Sequence, residues 1–536
     1  MAGNQEKYNQ YIVQLLRNKD CEVGSVLCKN LCRQFDLTEE NARQILNRAV
    51  KSNVVKSSSP ISFGKGQFAY SLSGNMKLTD VLMISKKNRP PLYRLLWQMW
   101  LNEGIISYFE GIKATSSLVE RSSTKVSSFD ELLSICVDLD LAYKHKDINN
   151  VDYLILKVNG QKLEREAEYV KVSQHYQKMV IDCTLLPDIV VWLQNVNIMA
   201  SGPIYRNKVT PGIGCVHNKL VWDAYGYTKA TGFNPRLNSG DGDVDKGTLV
   251  VLDVVLSTEY TDAFLDAFYE RIQININSTK GPRRKVLPIV IFNSISTVVK
   301  NKMKKMGFLA FDLAAIFGSK ITEVVSKTKM LPQMLTSPER LASEVSDILK
   351  GIENSGQMDA LSALRGTLFE FLMYPIIRNR FGGATIDRGR TLSLVRVEDD
   401  KEHKEYYEYD YIIHNNTPKE IVIIEVKGYH NGYRIKLGPY DKKNTLKWFF
   451  NNTLPFAREF YKKQGVDYPV KGVYITSAYF DEECNESIER IKSVSKSRPS
   501  GLDNIYNRDQ LLQLLEEFDM QNEISTIKRF YVKEDE

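Results

Sequence analysis

Three charged residues stand where two consecutive apolar segments begin or end in the last third of the chain. The run Ile421–Ile424 ends in Glu425, Val426 and Lys427, and Asp410 comes just before Tyr-Ile-Ile in the preceding segment. Side chains alternate between the two faces of a strand, so Glu425 and Lys427 share one face. Carboxylate oxygens are the ligands that Mg²⁺ prefers, and a lysine ammonium can stabilise the charge that develops on a phosphate during hydrolysis. The pattern therefore predicts a site for Mg²⁺-assisted cleavage of phosphodiester bonds.

The spacing of this Glu-x-Lys pair is a weak signal by itself. Glu402 and Lys404 have the same spacing, but they lie in polar, turn-like sequence, where charged side chains are usually solvated. Glu425 and Lys427 differ because they end an apolar strand that follows another strand with an acid. Their context, and not the motif, indicates a site.

Two further acids are expected near this strand. Glu408 precedes Asp410 by two residues, so both belong on one face. Glu370 is the only charge in the decapeptide LFEFLMYPII, and a carboxylate buried there needs a partner, a metal or water. The alternative for Glu370 is a position at the edge of the apolar stripe, paired with Arg365 or Arg378.

The elements that must position these side chains form one predicted unit, residues 336–536. A helix over residues 360–381 is followed by three strands, a long helix interrupted by Pro455, a further strand and two helices. The three strands are predicted at residues 390–397, 405–415 and 420–429, the long helix at 446–463 and the last strand at 470–479. This order gives an α-β-β-β-α-β core, and open α/β sheets place their sites at the carboxyl ends of strands.

Five segments of this unit, over about residues 360–520, carry a family resemblance. They read RGTLFEF, YEYDYII, IVIIEVKGY, VKGVYITSAYFDEEC and IYNRDQLLQLL. In this order they resemble the PD-(D/E)XK nuclease superfamily, and most closely its Mrr-like restriction endonucleases. The chain departs from the family pattern at Tyr409, where many relatives have proline or a small residue, and at Lys447, where some branches carry glutamine.

The resemblance implies a role for each candidate residue. Asp410 and Glu425 would bind the metal together with the carbonyl of Val426, and Lys427 would be the catalytic lysine. Glu370 would be the acid on the helix that helps to hold metal or water, which makes Glu370, Asp410, Glu425 and Lys427 the catalytic set. The metal would be Mg²⁺, with Mn²⁺ as a substitute.

Residues 166–335 are predicted to form a central α/β domain with a similar plan. Its apolar strands KLVWDAYGY, GTLVVLDVVLS and VLPIVIFNS alternate with helical sequence. Asp223 and Asp253 match the two acids of the family pattern, but Val255 stands where the lysine belongs. We therefore expect a degenerate nuclease fold used for scaffolding or DNA contact. An unrelated α/β domain with two incidental aspartates is the alternative.

Residues 1–80 give three amphipathic helices and a hairpin, which is the order of a winged helix. Thr38 is expected to cap the third helix, the candidate recognition helix. Residues 81–165 are predicted to be a second, less basic winged-helix-like domain, with a protein-docking module as the alternative. The expected DNA-binding residues are Arg43, Arg48, Lys51, Lys56 and Lys65.

Composition limits the classes of protein that remain. The chain has 536 residues, 43% of them hydrophobic and 26% charged, with a formal net charge of +7. These values are typical of a globular protein with several domains, and the mild positive charge permits a nucleic-acid partner. Seven scattered cysteines without C-x-x-C spacing predict reduced thiols. With no apolar run of membrane-spanning length and no secretory signal, we expect no membrane partner and a cytoplasmic location, or a nuclear one in a eukaryote.

The sequence thus predicts a multi-domain α/β (α+β) protein: N-terminal winged helices, a central nuclease-like α/β domain and a C-terminal restriction-endonuclease-like α/β/α domain. The expected activity is Mg²⁺-dependent hydrolysis of double-stranded DNA, in restriction or defence against foreign DNA. Two alternatives stay open: a non-catalytic DNA-binding or assembly subunit with a vestigial nuclease fold, and an RNA nuclease. A homodimer and a motor or defence-system partner protein are compatible with this prediction.

Overall fold

The structure is a computed structural model, and it is mixed α/β, about half helix and a fifth strand. It describes residues 2–17, 19–64, 66–74, 76–120, 128–200, 202–208, 211–228, 247–278, 285–398, 401–430, 432–439 and 445–532. Within these residues, each helix is too short or too polar to cross a lipid bilayer.

The N-terminal unit packs three helices on a small antiparallel sheet of order β1-β3-β2. Thr38 caps the third helix as predicted, since its hydroxyl accepts a hydrogen bond from the Asn41 backbone at 3.3 Å. The sequence predicts the second helix over residues 22–35, but the helix begins two residues later, because Cys21–Val23 pair with the hairpin as a strand. Its elements are α1 (Ala2–Arg17), β1 (Cys21–Val23), α2 (Gly24–Phe35), α3 (Glu39–Lys51), β2 (Lys56–Ser57) and β3 (Ala69–Ser71).

The next unit repeats that order after one additional helix, and its sheet has the corresponding order β4-β6-β5. The sequence prediction missed the short strand β4 and the helix that follows it. Three-residue strands carry too little periodicity to be seen. The elements are α4 (Leu78–Asn88), α5 (Pro90–Leu101), β4 (Ile105–Ser107), α6 (Tyr108–Thr115), α7 (Phe129–Asp138), β5 (Ala142–Lys146) and β6 (Asp152–Leu156).

Helices α8 (Arg165–Thr184) and α9 (Leu186–Asn195) lead into a central sheet of order β13-β12-β11-β10-β7. The prediction of one strand over residues 219–227 is wrong, because the chain changes sheets at Asp223: β9 pairs with β8, whereas β10 pairs with β11. The elements are β7 (Ile204–Tyr205), β8 (Cys215–His217), β9 (Leu220–Trp222), β10 (Ala224–Thr228), β11 (Thr248–Val255), α10 (Asp262–Ser278), β12 (Val286–Phe292), α11 (Thr297–Lys305) and β13 (Leu309–Asp312).

The C-terminal sheet has the order β14-β15-β16-β18-β20. The predicted helix, three strands, helix and strand are all present in that order, and β20 is an additional strand that the sequence did not predict. The elements are α12 (Leu313–Phe317), α13 (Ile321–Met330), α14 (Leu341–Asn354), α15 (Ser362–Arg380), β14 (Thr385–Glu398), β15 (Lys401–Asn416), β16 (Lys419–Lys427), β17 (Arg434–Ile435), α16 (Leu446–Trp448), α17 (Leu454–Lys463), β18 (Val470–Thr476), β19 (Tyr479–Phe480), α18 (Asn485–Ser493), β20 (Ile505–Tyr506), α19 (Arg508–Glu517) and α20 (Gln521–Phe530).

The helix predicted over residues 446–463 is interrupted earlier than Pro455. Phe449–Thr453 form a π-helical turn between α16 and α17. Pro455 lies in the first turn of α17, where its missing N–H leaves no intrahelical bond unmade. The helical segment therefore continues past the proline with one wide turn before it.

The two five-stranded sheets are built on one plan. In each, an edge strand pairs antiparallel with the second strand, the second pairs antiparallel with the third, and two parallel strands complete the sheet. β10 and β11 of the central sheet thus correspond to β15 and β16 of the C-terminal sheet. A continuous apolar cluster, which includes Ile189, Ile291, Leu368 and Ile424, joins the two sheets through α9, α14 and α15.

Candidate active site

The end of β16 lies beside Asp410 of β15. These strands pair antiparallel with Tyr411 opposite Ile424, so the next residue outward on each strand is Asp410 or Glu425. Asp410 is only 4% exposed, and the side chains of Glu425 and Lys427 are largely covered as well. The structure therefore brings together the three residues on which the sequence prediction rests.

Asp410 is held in its ionised form by its surroundings. Its Oδ2 atom accepts a hydrogen bond from the backbone N–H of Val426 at 2.8 Å and lies 3.4 Å from Nζ of Lys427. Burial alone would raise the pKa of Asp410, but the charges of Lys427 and Lys208 and the hydrogen bond from Val426 outweigh it and lower this pKa. Asp410 is thus ionised, and its contacts fix the orientation of its carboxylate.

Lys427 is a cation at neutral pH. Its Nζ lies 2.7 Å from Oε1 of Glu425. Burial would lower the pKa of Lys427, but the charges of Asp410 and Glu425 raise it well above the ordinary value. Burial also raises the pKa of Glu425 to about 7 in spite of the lysine beside it. The Glu-Val-Lys end of the strand therefore carries a permanent cation next to a carboxylate that can exchange a proton near neutral pH.

Glu370 points to the same site from helix α15, in which every residue from Thr367 to Ile377 is buried. Its carboxylate lies 2.5 Å from Nζ of Lys208 and 3.5 Å from Nη2 of Arg388. The alternative pairings with Arg365 and Arg378 are absent, because both guanidinium groups donate to backbone carbonyls instead.

Two members of the site are the hardest to recognise from the sequence. Glu408 shares the face of Asp410, as the strand period predicts, and burial raises its pKa to about 7. Lys208 was not predicted at all. It belongs to the polar segment after β7, and its Nζ lies 3.7 Å from Oε1 of Glu408 and 3.9 Å from Oδ1 of Asp410. Nothing in the sequence around it, PIYRNKV, distinguishes it from a surface lysine.

A cavity of about 470 Å³ opens onto these groups. This volume lies within the range of ligand pockets. Its walls come from the central unit, α15, β15, β16 and α16, and include Tyr205, Lys208, Thr367, Glu408, Asp410, Glu425, Lys427 and Trp448.

The oxygen atoms at this cavity fit a hard divalent cation such as Mg²⁺. The carboxylates of Asp410 and Glu425 lie on neighbouring strands. The backbone N–H of Val426 points toward Asp410, and since the N–H and C=O of one strand residue face the same neighbour, its carbonyl does too. Within the described residues, no group of three or more His, Cys, Asp or Glu side chains is arranged so that it could hold a metal ion. At this site the ammonium groups of Lys208 and Lys427 lie between the carboxylates.

The central sheet contains a second acid cluster at the corresponding place. Oδ2 of Asp223 accepts a hydrogen bond from the backbone N–H of Val254 at 2.8 Å, which repeats the bond between Asp410 and Val426. Asp253 lies one residue before Val254, as Glu425 lies before Val426.

Three cations surround the two aspartates of this central cluster. Lys113 of α6 contacts Asp223 and lies 3.1 Å from Asp253, and Arg271 of α10 lies 2.7 Å from Asp253. Arg206 lies 3.5 Å from Asp223. The prediction that this cluster lacks a lysine holds for position 255, but a lysine from the preceding unit reaches the acids instead.

The expected DNA-binding residues lie on one exposed face of α3 and on β2. Arg43, Arg48, Lys51 and Lys56 are exposed, and Arg43 pairs with Glu39 at 3.4 Å. Lys56 donates a hydrogen bond to Asn53 at 2.9 Å. Lys65, the fifth expected residue, lies outside the described residues.

Compared with protein-family models, with curated proteins and with solved structures, the chain gave no match.

Proposed function

We propose that this chain is a divalent-cation-dependent endonuclease that hydrolyses the phosphodiester bonds of double-stranded DNA. The observation that carries the proposal is the convergence of Asp410, Glu425 and Lys427 on adjacent strand ends at an open cavity, which Glu408 also lines. The resemblance of the C-terminal unit to PD-(D/E)XK nucleases, and the winged-helix assignment of the two N-terminal units, belong to the same proposal.

The residues divide the chemistry among themselves. Asp410, Glu425 and the carbonyl of Val426 would hold Mg²⁺, which when bound would polarise the phosphate and acidify a water molecule. Burial would lower the pKa of Lys427, but the charges of Asp410 and Glu425 raise it above the ordinary value, so its ammonium would stabilise the extra negative charge of the transition state. Glu408, with its pKa near 7, can accept the proton that the attacking water releases.

The N-terminal units and the central unit would bind and position the DNA. Arg48, Lys51 and Lys56 offer exposed cations for phosphate groups, so affinity should fall steeply with salt. The central acid cluster would have no catalytic role, because Lys113, Arg206 and Arg271 already neutralise its two aspartates. We propose this unit as a degenerate nuclease fold that serves as a scaffold.

One observation favours a second candidate, a non-catalytic DNA-binding subunit. The acids nearest the cavity already have cationic partners, with Lys208 beside Glu370 and Lys427 beside Glu425. A vestigial site that only pairs its own charges would have the same contacts.

Cleavage of supercoiled and linear plasmid at low salt separates the two candidates. Wild type is compared in Mg²⁺, Mn²⁺ and EDTA with Lys427→Ala and Glu425→Gln. The matched controls are Lys404→Ala and Glu402→Gln, which alter an exposed pair of the same spacing. We expect metal-dependent cutting that both site variants lose and both controls keep. Binding without cutting by wild type would favour the non-catalytic subunit, and cutting of duplex RNA alone would identify an RNA nuclease.

A further inference from the structure

Among the residues that the structure describes, Lys208 is the charged group that the central unit contributes to the site. It follows β7 at the edge of the central sheet, 162 residues before Glu370 in sequence. Its ammonium lies 2.5 Å from Glu370, 3.7 Å from Glu408 and 3.9 Å from Asp410. Three carboxylates of the C-terminal unit thus share a single cation from the central unit.

A divalent cation held by Glu370 or Asp410 would compete with the ammonium of Lys208. Carboxylate ligands lie about 2.0–2.6 Å from a bound Mg²⁺ or Ca²⁺, so an ion at Oε1 of Glu370 would take the place of the lysine Nζ at 2.5 Å. At Asp410, where Nζ of Lys208 lies 3.9 Å from Oδ1, the ion and the ammonium would repel each other. The side chains of Glu370, Glu408 and Asp410 are each at most 10% exposed, so water screens their charges poorly. Arg388 also pairs with Glu370 and Lys427 with Asp410, but Lys208 is the cation that reaches all three carboxylates.

The central acid cluster shows what a permanent arrangement of this kind looks like. Lys113 also comes from the preceding unit, but its side chain is only 9% exposed, and Arg271 adds a second cation to Asp253. The Lys208 side chain is 27% exposed and lines the cavity. Lys208 can therefore leave its carboxylates for a cavity of about 470 Å³, whereas the cavity beside Lys113 is only about 40 Å³.

We infer that Lys208 is an internal competitor of the divalent cation. In the resting chain its ammonium occupies the carboxylate cluster, and an entering cation must displace it into the cavity. Lys208 thereby sets the cation concentration at which the site fills. The inference rests on the proposed function, because it assumes that these carboxylates bind a divalent cation.

Mn²⁺ binding to the full chain without DNA tests the inference. Calorimetric titration compares wild type with Lys208→Met, which keeps the length of the side chain but not its charge, and with Lys208→Arg, which keeps the charge. Lys302→Met is the matched control, since Lys302 also lies between two carboxylates, Asp262 and Asp266, at 2.7 and 2.8 Å. We expect Lys208→Met to bind Mn²⁺ at least about tenfold more tightly, which corresponds to only about 1.4 kcal/mol. Lys208→Arg should gain nothing, and Lys302→Met should match wild type. Equal or weaker binding by a folded Lys208→Met would overturn the inference.

A second measurement uses the wild-type chain and does not depend on the folding of a variant. Amine-reactive labelling followed by mass spectrometry reports the accessibility of Lys208 with and without Mn²⁺. Displacement predicts a severalfold higher labelling rate of Lys208 in saturating Mn²⁺, with no change at Lys302. An unchanged rate would contradict the competitor role. Tighter Mn²⁺ binding by Lys208→Met, together with no DNA cleavage by wild type, would sink the proposed nuclease and leave the competitor role standing.

Discussion

The carboxylate of Asp188 caps the helix that carries Glu370, because its Oδ2 accepts a hydrogen bond from the backbone N–H of Leu364 at 3.2 Å. Its Oδ1 accepts a second bond from Ala363 at 3.0 Å. Asp188 belongs to α9, before the central sheet, whereas α15 belongs to the C-terminal unit. The direction of α15, and with it the position of Glu370 at the site, therefore depends on the central unit.

The Asp188 cap predicts a stability that changes with pH. Burial raises the pKa of Asp188 from 3.8 to about 7, so its contribution to folding is complete below pH 3.8 and is lost as the pH rises to about 7. Asp188→Asn should therefore gain in thermal midpoint relative to wild type between pH 4 and 8. Asp188→Ala should lose about 0.5–2 kcal/mol, as helix caps do. Asp347→Asn, an exposed control, should follow wild type at every pH; a gap between wild type and Asp188→Asn that stays constant would contradict the prediction.

The contact between Glu110 and His175 predicts a loss of stability in acid. Their side chains lie 2.7 Å apart, and the Ser107 backbone also donates to Glu110. Burial opposes the ionisation of Glu110, but the charge of His175 and these hydrogen bonds lower its pKa from 4.5 to about 2. The stability that Glu110 adds is present above pH 4.5 and is lost as the pH falls through about 2.

Acid unfolding of Glu110→Gln, followed by tryptophan fluorescence, measures this contribution. The variant should be less stable than wild type at pH 6, and the difference should shrink as the pH approaches 2. Glu103→Gln is the control, because Glu103 is 74% exposed and pairs loosely with Lys178 at 3.9 Å. If the two variants behave alike, the buried pair contributes nothing of its own.

The central acid cluster predicts a large cost for removing one cation. Lys113→Met removes one of the positive charges that neutralise Asp223 and Asp253, which are both fully buried. Breaking a buried ion pair from one side costs about 3–5 kcal/mol. The urea midpoint should fall accordingly, whereas Lys302→Met, at an exposed pair, should change stability by less than about 1 kcal/mol. Equal midpoints for the two variants would mean that the cluster is well hydrated.

The exposed face of α3 predicts a salt-dependent affinity for duplex DNA. Each phosphate contact contributes about −0.9 to the slope of log K against log salt. Arg48→Ala and Lys51→Ala should each weaken binding on every duplex sequence and make the slope shallower by about that amount. Fluorescence anisotropy from 50 to 200 mM salt measures it, with Lys320→Ala, an exposed lysine of another unit, as the control. If both α3 variants keep the wild-type slope of log K against log salt, the DNA binds to another surface.

The sequence predicted the part of the site that one sheet determines. Period two placed Glu425 and Lys427 on one face at the end of their strand. The acid in the preceding strand and the family resemblance then predicted that Asp410 lies beside them. The plan of the C-terminal sheet followed from its long, strongly patterned strands.

The contacts between units could not be predicted in this way. Lys208 and Lys113 reach their acids through tertiary packing across more than a hundred residues, and no local pattern marks a lysine that will be buried later. The same limit explains the strand broken at Asp223. The residues on both sides of Asp223 favour a strand, but β9 pairs with β8 and β10 pairs with β11, and the contacts of Asp223 at this change of sheet include the distant Val254.

The order of these lysines and acids in the chain has a consequence for synthesis on the ribosome. Lys113 precedes Asp223 in the chain, and Lys208 precedes Glu370, so each cation leaves the exit tunnel before the acids with which it pairs. Domains tend to fold in this order during translation. The lysine that neutralises the carboxylates of each sheet is therefore already present when that sheet folds around them.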